Sequence, residues 1–196
     1  CLALLRWRAQ VEDLRLREII GFQRRRFLRD LGWGLLWSMV LFALMMGGFL
    51  ATTLAIGGIT GLTFEQIHMG STDYAFEVPQ WLTVTMLIVS GIVFPILNAP
   101  VEELQYRGYA QTGLMANSRS IWLGIGIPAL GFGLQHIAFA YTLHAAPVYA
   151  VSFLLWGLGA GYIFYRQGRL APLIIAHFIS NLFTGIAPLL FMLMET

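Results

Sequence analysis

Glu102 and Glu103 stand side by side inside an apolar run that would otherwise cross a membrane. The run from Trp81 to Tyr109 reads WLTVTMLIVSGIVFPILNAPVEELQYRGY. A carboxylate inside a bilayer is expensive unless protein surrounds it, so such residues point to function by default. The fold must therefore give this pair a protein interior rather than lipid. Arg107 follows in the same run, and two later apolar segments each carry one histidine, His136 and His177. A passive anchor has no use for this set.

Apolar residues make up 58% of the chain and charged residues 11%, with a mean hydropathy of +0.71. A soluble domain averages about 25% charged residues, so the chain is read as an all-α, polytopic membrane helix bundle. About 20 residues cross the hydrocarbon. Five complete spans are expected near Leu31–Ile56, Trp81–Leu114, Ile121–Phe139, Val148–Tyr165 and Leu173–Met194. The second is too long for a simple span, and Pro95 and Pro100 should bend it. Trp33, Trp37, Trp81, Trp122 and Trp156 are expected near the interfaces, as aromatic belts. The small residues of Gly157-Leu158-Gly159-Ala160-Gly161 suit close helix contact. Cys1 is the only cysteine, so no intrachain disulfide can form.

Residues 1–30 and 31–196 are expected to divide the chain. Cys1 to Leu5 followed by Arg6-Trp7-Arg8 resembles the end of a spanning helix whose beginning precedes this sequence, and a lipidated Cys1 is the rival reading. Trp7–Asp30 is read as a basic, amphipathic juxtamembrane helix or, equally, a solvated connector. Eight arginines precede the first full span, whereas the Gly57–Gln80 loop has none and carries Glu65, Asp73 and Glu77. Arg107, Arg119, Arg166 and Arg169 fall on or near the same side. That asymmetry places the N-terminal segment, Ala116–Ser120 and Gln167–Arg169 in the cytosol of a multi-pass protein of the inner (plasma) membrane. His68 and His144 fall in the outer loops and are read as solvated polar residues.

At about 1.5 Å rise per residue, Glu102, His136 and His177 all reach the middle of the bilayer, where a shared site is possible. Glu102 and Glu103 point about 100° apart on one helix. Glu103 and Arg107, four residues apart, can pair on one face, which turns Glu102 toward a cavity. Phe132 with His136 and His177 with Asn181 repeat the same offset. A histidine and an amide on one face can present donors to a polarised oxygen. The alternative is a buried polar network that locks the helices together.

Glu102-Glu103-x-x-x-Arg107, Phe132-x-x-x-His136 and His177-x-x-x-Asn181 together resemble the three motifs of the CPBP (Abi) family, over a motif core of residues 81–193. That family includes type II CAAX prenyl endopeptidases and many bacterial intramembrane proteases. Gly161-Tyr162-Ile163-Phe164-Tyr165-Arg166-Gln167-Gly168 is similar as well. Gln105-Tyr106 departs from the apolar residues and Phe that are common there. The resemblance implies an intramembrane endopeptidase that cuts a membrane-associated protein or peptide. Glu102 would activate water with help from His136, His177 and Asn181 would stabilise the oxyanion, and Glu103 and Arg107 would hold the scaffold with Phe132 in support. A carboxylate held away from water is a stronger base, in keeping with that role.

No metal is required in this reading. A zinc enzyme with Glu102, His136 and His177 as a His₂Glu ligand set is the alternative, although the His-Glu-x-x-His signature is missing. A proton-coupled transporter would also bury Glu and His, but internal repeats are not detected. A non-catalytic immunity or scaffold protein on the same fold is a further alternative. Nothing in the sequence points to nucleic acid.

Overall fold

A backbone in hydrocarbon must satisfy its own polar groups, and these apolar runs do so as helices. The computed structural model describes Ala3, residues 16–70 and residues 79–194, and no strand occurs among the described residues. In chain order the helices are α1 (Leu16–Ile20), α2 (Phe27–Thr60), α3 (Phe64–His68), α4 (Gln80–Ile88), α5 (Phe94–Glu103), α6 (Thr112–Ser118), α7 (Ile121–Gln135), α8 (Ala145–Gln167) and α9 (Ala171–Met194). Among the described residues, four helical stretches are long and apolar enough to cross a membrane: Glu18–Thr60, Gln80–Ser118, Ile121–Phe139 and Ala145–Gln167. Helix α9 adds a fifth long apolar helix of 24 residues. The molecule is thus a polytopic helical membrane protein.

The second span is where the prolines matter. Wide π turns at Val89–Val93 and Leu104–Gln111 join α4, α5 and α6 into one continuous helical stretch. A proline ring collides with the carbonyl four residues earlier; for Pro95 that residue is Gly91, inside the first wide turn. The disturbance expected from the sequence is therefore taken up by widening. Such turns concentrate at functional sites, and the second one carries Arg107.

By internal contacts the chain divides into two units, which are described separately. One comprises the described residues of Cys1–Met39, Phe76–Tyr109 and Gly168–Thr196. Here α9 packs along α4, the first wide turn and α5. Gly91 and Gly185 allow the closest approach: a Cβ on Gly91 would lie 2.9 Å from the Gly185 carbonyl oxygen. In this unit Asp30, fully buried, takes a two-pronged ion pair from Arg169 at 2.5 and 2.6 Å.

The other unit comprises the described residues of Val40–Ala75 and Ala110–Gln167. Its core is the α7–α8 pair. The glycine-rich stretch of α8 makes the close contact its composition suggests, since a Cβ on Gly157 would lie 2.9 Å from Ala129 Cα. Gln111 is buried in this unit and donates to the Gly161 carbonyl at 2.8 Å. Thr63 caps α3 in a reciprocal box with Gln66, at 2.9 and 3.3 Å, satisfying two exposed backbone donors.

Three expectations need correction. The Trp7–Asp30 segment is not one helix over its described part: α1 ends at Gly21, whose φ of 66° glycine adopts without strain, and a 3₁₀ turn follows at Arg24–Arg26. Residues 7–15, and the end of a spanning helix expected at Cys1–Arg8, lie outside the described residues apart from Ala3. Trp156 is not an interfacial belt residue but a core residue, 2% exposed, because its face of α8 is the packed one. His68 is not simply solvated. Its ring stacks on Phe49 at 4.8 Å, touches Phe64 at 4.5 Å, and is 3.1 Å from the Thr53 hydroxyl; burial there pushes its pKa below the ordinary histidine value.

Candidate active site

The two adjacent glutamates occupy different surroundings. Glu103, at the end of α5, is 1% exposed, and its Oε1 accepts from Arg107 Nη1 at 3.0 Å and from His177 Nδ1 at 2.9 Å. Arg107 reaches it from the following turn, 2% exposed itself, as the offset of four residues allows. His177 reaches it from α9, which packs along α5. Glu102 is 14% exposed, and its Oε2 lies 3.6 Å from His177 Nε2. One imidazole therefore faces both carboxylates.

The hydrogen bond also fixes the histidine tautomer. A carboxylate oxygen accepts, so His177 Nδ1 carries a proton, and Nε2 is the atom turned toward Glu102. One turn further along α9, Asn181 has its amide nitrogen buried with no hydrogen-bond partner among the described residues. A buried, unsatisfied amide donor is uncommon and calls for a reason.

His136 and Phe132 lie in the other unit. His136 is buried at the end of α7, where the helix tightens into the 3₁₀ turn His136–Phe139. Its Nδ1–H donates to the Phe132 carbonyl at 2.7 Å. The ring lies over Phe153 with centroids 3.6 Å apart and 11° between planes, and it contacts Phe132 at 4.6 Å and Phe139 at 5.6 Å. A carbonyl oxygen can only accept, so this imidazole too carries its proton on Nδ1.

Sequence reasoning did not identify the Glu103–His177 hydrogen bond or the Phe153 platform, and neither has a local signal. Phe153 is one aromatic among several on α8, and its partner lies on another helix. No group of three His, Cys, Asp or Glu side chains able to hold a metal ion occurs among the described residues. In the first unit, Glu103 Oε1 is committed to Arg107 and His177. Glu103 Oε2 is buried with no hydrogen-bond partner among the described residues.

A helical membrane protein that buries paired carboxylates against arginine and histidine is of the class whose intramembrane charges call for a functional explanation. Comparison with protein families narrows the class: the family described as type II CAAX prenyl endopeptidase Rce1-like matches residues 80–183. The chain belongs to that family, which makes it a CAAX-type endopeptidase in general terms and implies protease activity. No curated protein and no solved structure gives a significant match.

Proposed function

We propose that this chain is an intramembrane endopeptidase in which Glu102 is the general base that activates the attacking water. The observation that carries this reading is the inequivalence of two neighbouring carboxylates. Glu103 is locked by Arg107 and His177, whereas Glu102 keeps some accessibility and faces a histidine nitrogen across 3.6 Å. Paired titratable groups with divergent surroundings commonly divide the roles of a mechanism between them.

In this reaction Glu102 takes a proton from water as oxygen attacks the peptide carbonyl, with His136 assisting. His177 and Asn181 donate hydrogen bonds to the oxyanion, and the unsatisfied Asn181 amide supports that assignment. With Nδ1–H held by Glu103, His177 would donate to the oxyanion through a proton on Nε2, balanced by the Glu103 carboxylate. The proton held on Glu102 then passes to the leaving amine. Glu103 and Arg107 hold His177 and the end of α5 in place, and Phe132 fixes His136. No metal ion enters this scheme.

The substrate class is a membrane-associated protein or peptide. Arginine asymmetry supports a plasma-membrane setting with the Arg-rich end in the cytosol, residues 1–30 as the end of a helix plus a basic cytosolic or interfacial segment, and residues 31–196 as the protease domain. Quantitative proteomics of membrane fractions expressing wild type or Glu102→Ala tests the reading. A cleavage product present with wild type and missing with the variant is expected. Identical product sets from both would remove proteolysis by Glu102.

A further inference from the structure

Arg24, Arg25, Arg26 and Arg29 are all exposed, on the 3₁₀ turn and the first turn of α2, and the 3₁₀ turn has no acidic residue in it. None of the four makes an ion pair with another described residue. Asp30, the next residue in sequence, is buried and held by Arg169, so the nearest carboxylate in the chain does not neutralise them. Interleaved with the arginines are Phe22, Phe27 and Leu28, which are 58%, 44% and 80% exposed. The two phenyl rings meet edge to face at 6.2 Å. The same stretch runs without interruption into α2, part of the membrane-crossing length Glu18–Thr60.

Apolar rings and guanidinium groups share one surface at the end of a spanning helix. Guanidinium groups bind phosphate through paired hydrogen bonds, and exposed phenyl and leucyl side chains settle at the boundary between headgroups and acyl chains. An acidic peptide would match the arginines but would leave Phe22 and Leu28 in water. We propose that the Phe22–Arg29 turn is a docking surface for anionic phospholipids of the leaflet in which α2 begins. The surface is also braced toward the catalytic helix. Arg169, two residues before α9, binds Asp30 and also donates to the Gly21 carbonyl at 3.3 Å. Both ends of the lipid-facing turn are therefore tied to the start of the helix that carries His177. The proposal does not depend on the protease reading, because its readout is lipid retention.

Native mass spectrometry of the purified chain, released from micelles containing equal dioleoyl phosphatidylglycerol and dioleoyl phosphatidylcholine, tests it. Wild type should retain phosphatidylglycerol preferentially. The variant Arg24→Gln/Arg25→Gln/Arg26→Gln/Arg29→Gln should lose that preference by about tenfold or more, given the attraction of each surface arginine to anionic lipid. The matching four Arg→Lys substitutions should keep most of it. If the four-fold glutamine variant does not purify folded, Arg25→Gln/Arg26→Gln should still lose a measurable part. Equal phosphatidylglycerol retention by wild type and a folded glutamine variant would overturn the proposal. Retention of soluble poly-glutamate by a wild type that shows no preference for phosphatidylglycerol would also overturn it, and would assign the surface to an acidic protein partner.

Discussion

His177 and His136 are held alike at one end and differently everywhere else. Each gives its Nδ1–H to a fixed acceptor, a carboxylate of Glu103 at 2.9 Å for one and the Phe132 carbonyl at 2.7 Å for the other. Each ring is therefore oriented with Nε2 on its far edge. The surroundings then part company. His177 faces two carboxylates with Arg107 at hand, whereas His136 is stacked on Phe153 and flanked by Phe132 and Phe139. An ionic nest fixes a ring through charge and hydrogen bonds; an aromatic nest fixes it through shape. The first should fail abruptly when one charge is removed, the second gradually as ring area is trimmed.

That contrast gives a ranked set of predictions. Glu103→Gln removes the carboxylate that Arg107 and His177 share, and breaking a buried ion pair costs about 3–5 kcal/mol. The expected result is a large drop in folded yield and in the thermal midpoint in detergent; an unchanged midpoint would show that the ionic nest is not structural. Asn181→Ala should leave the midpoint nearly intact and raise the barrier by about 2.7–4 kcal/mol, the loss of one oxyanion donor, read as kcat with purified enzyme. A loss of stability with unaltered kcat would make Asn181 a packing residue.

In the aromatic nest, Phe153→Leu keeps an apolar side chain under His136 and should destabilise by only about 1 kcal/mol, checked by thermal unfolding. A collapse as severe as that of Glu103→Gln would erase the distinction between the two nests. Smallest of all is the effect of phenanthroline, which should leave turnover unchanged. Stoichiometric zinc by elemental analysis, with activity lost on stripping and restored by metal, would favour the His₂Glu reading instead.

The parts of this architecture that were legible in the sequence are local. Span length and apolarity mark the long helices, and an offset of four residues is enough to set Arg107 on Glu103 and Phe132 on His136. Pro95 signalled a disturbance in the second span, but not that it would be a wide turn around Gly91. What was illegible is non-local. Asp30 and Arg169 lie far apart in sequence, as do Glu103 and His177, and a single chain gives the common depth of such groups at most, not which atoms pair. Trp156 looked like a belt residue because composition gives distance from a helix end but not the packed face. His68 looked like a loop residue, yet Phe49 and Thr53 on α2 gather it into a nest of its own.

The most direct test of the account is the turnover of purified Glu102→Gln on a substrate peptide, normalised to folded protein. An amide fills the volume of the carboxylate but cannot take a proton from water. The account predicts a fall of about 10²–10⁴-fold in kcat, the usual contribution of a general base, with a thermal midpoint close to wild type. Full turnover by folded Glu102→Gln would contradict it.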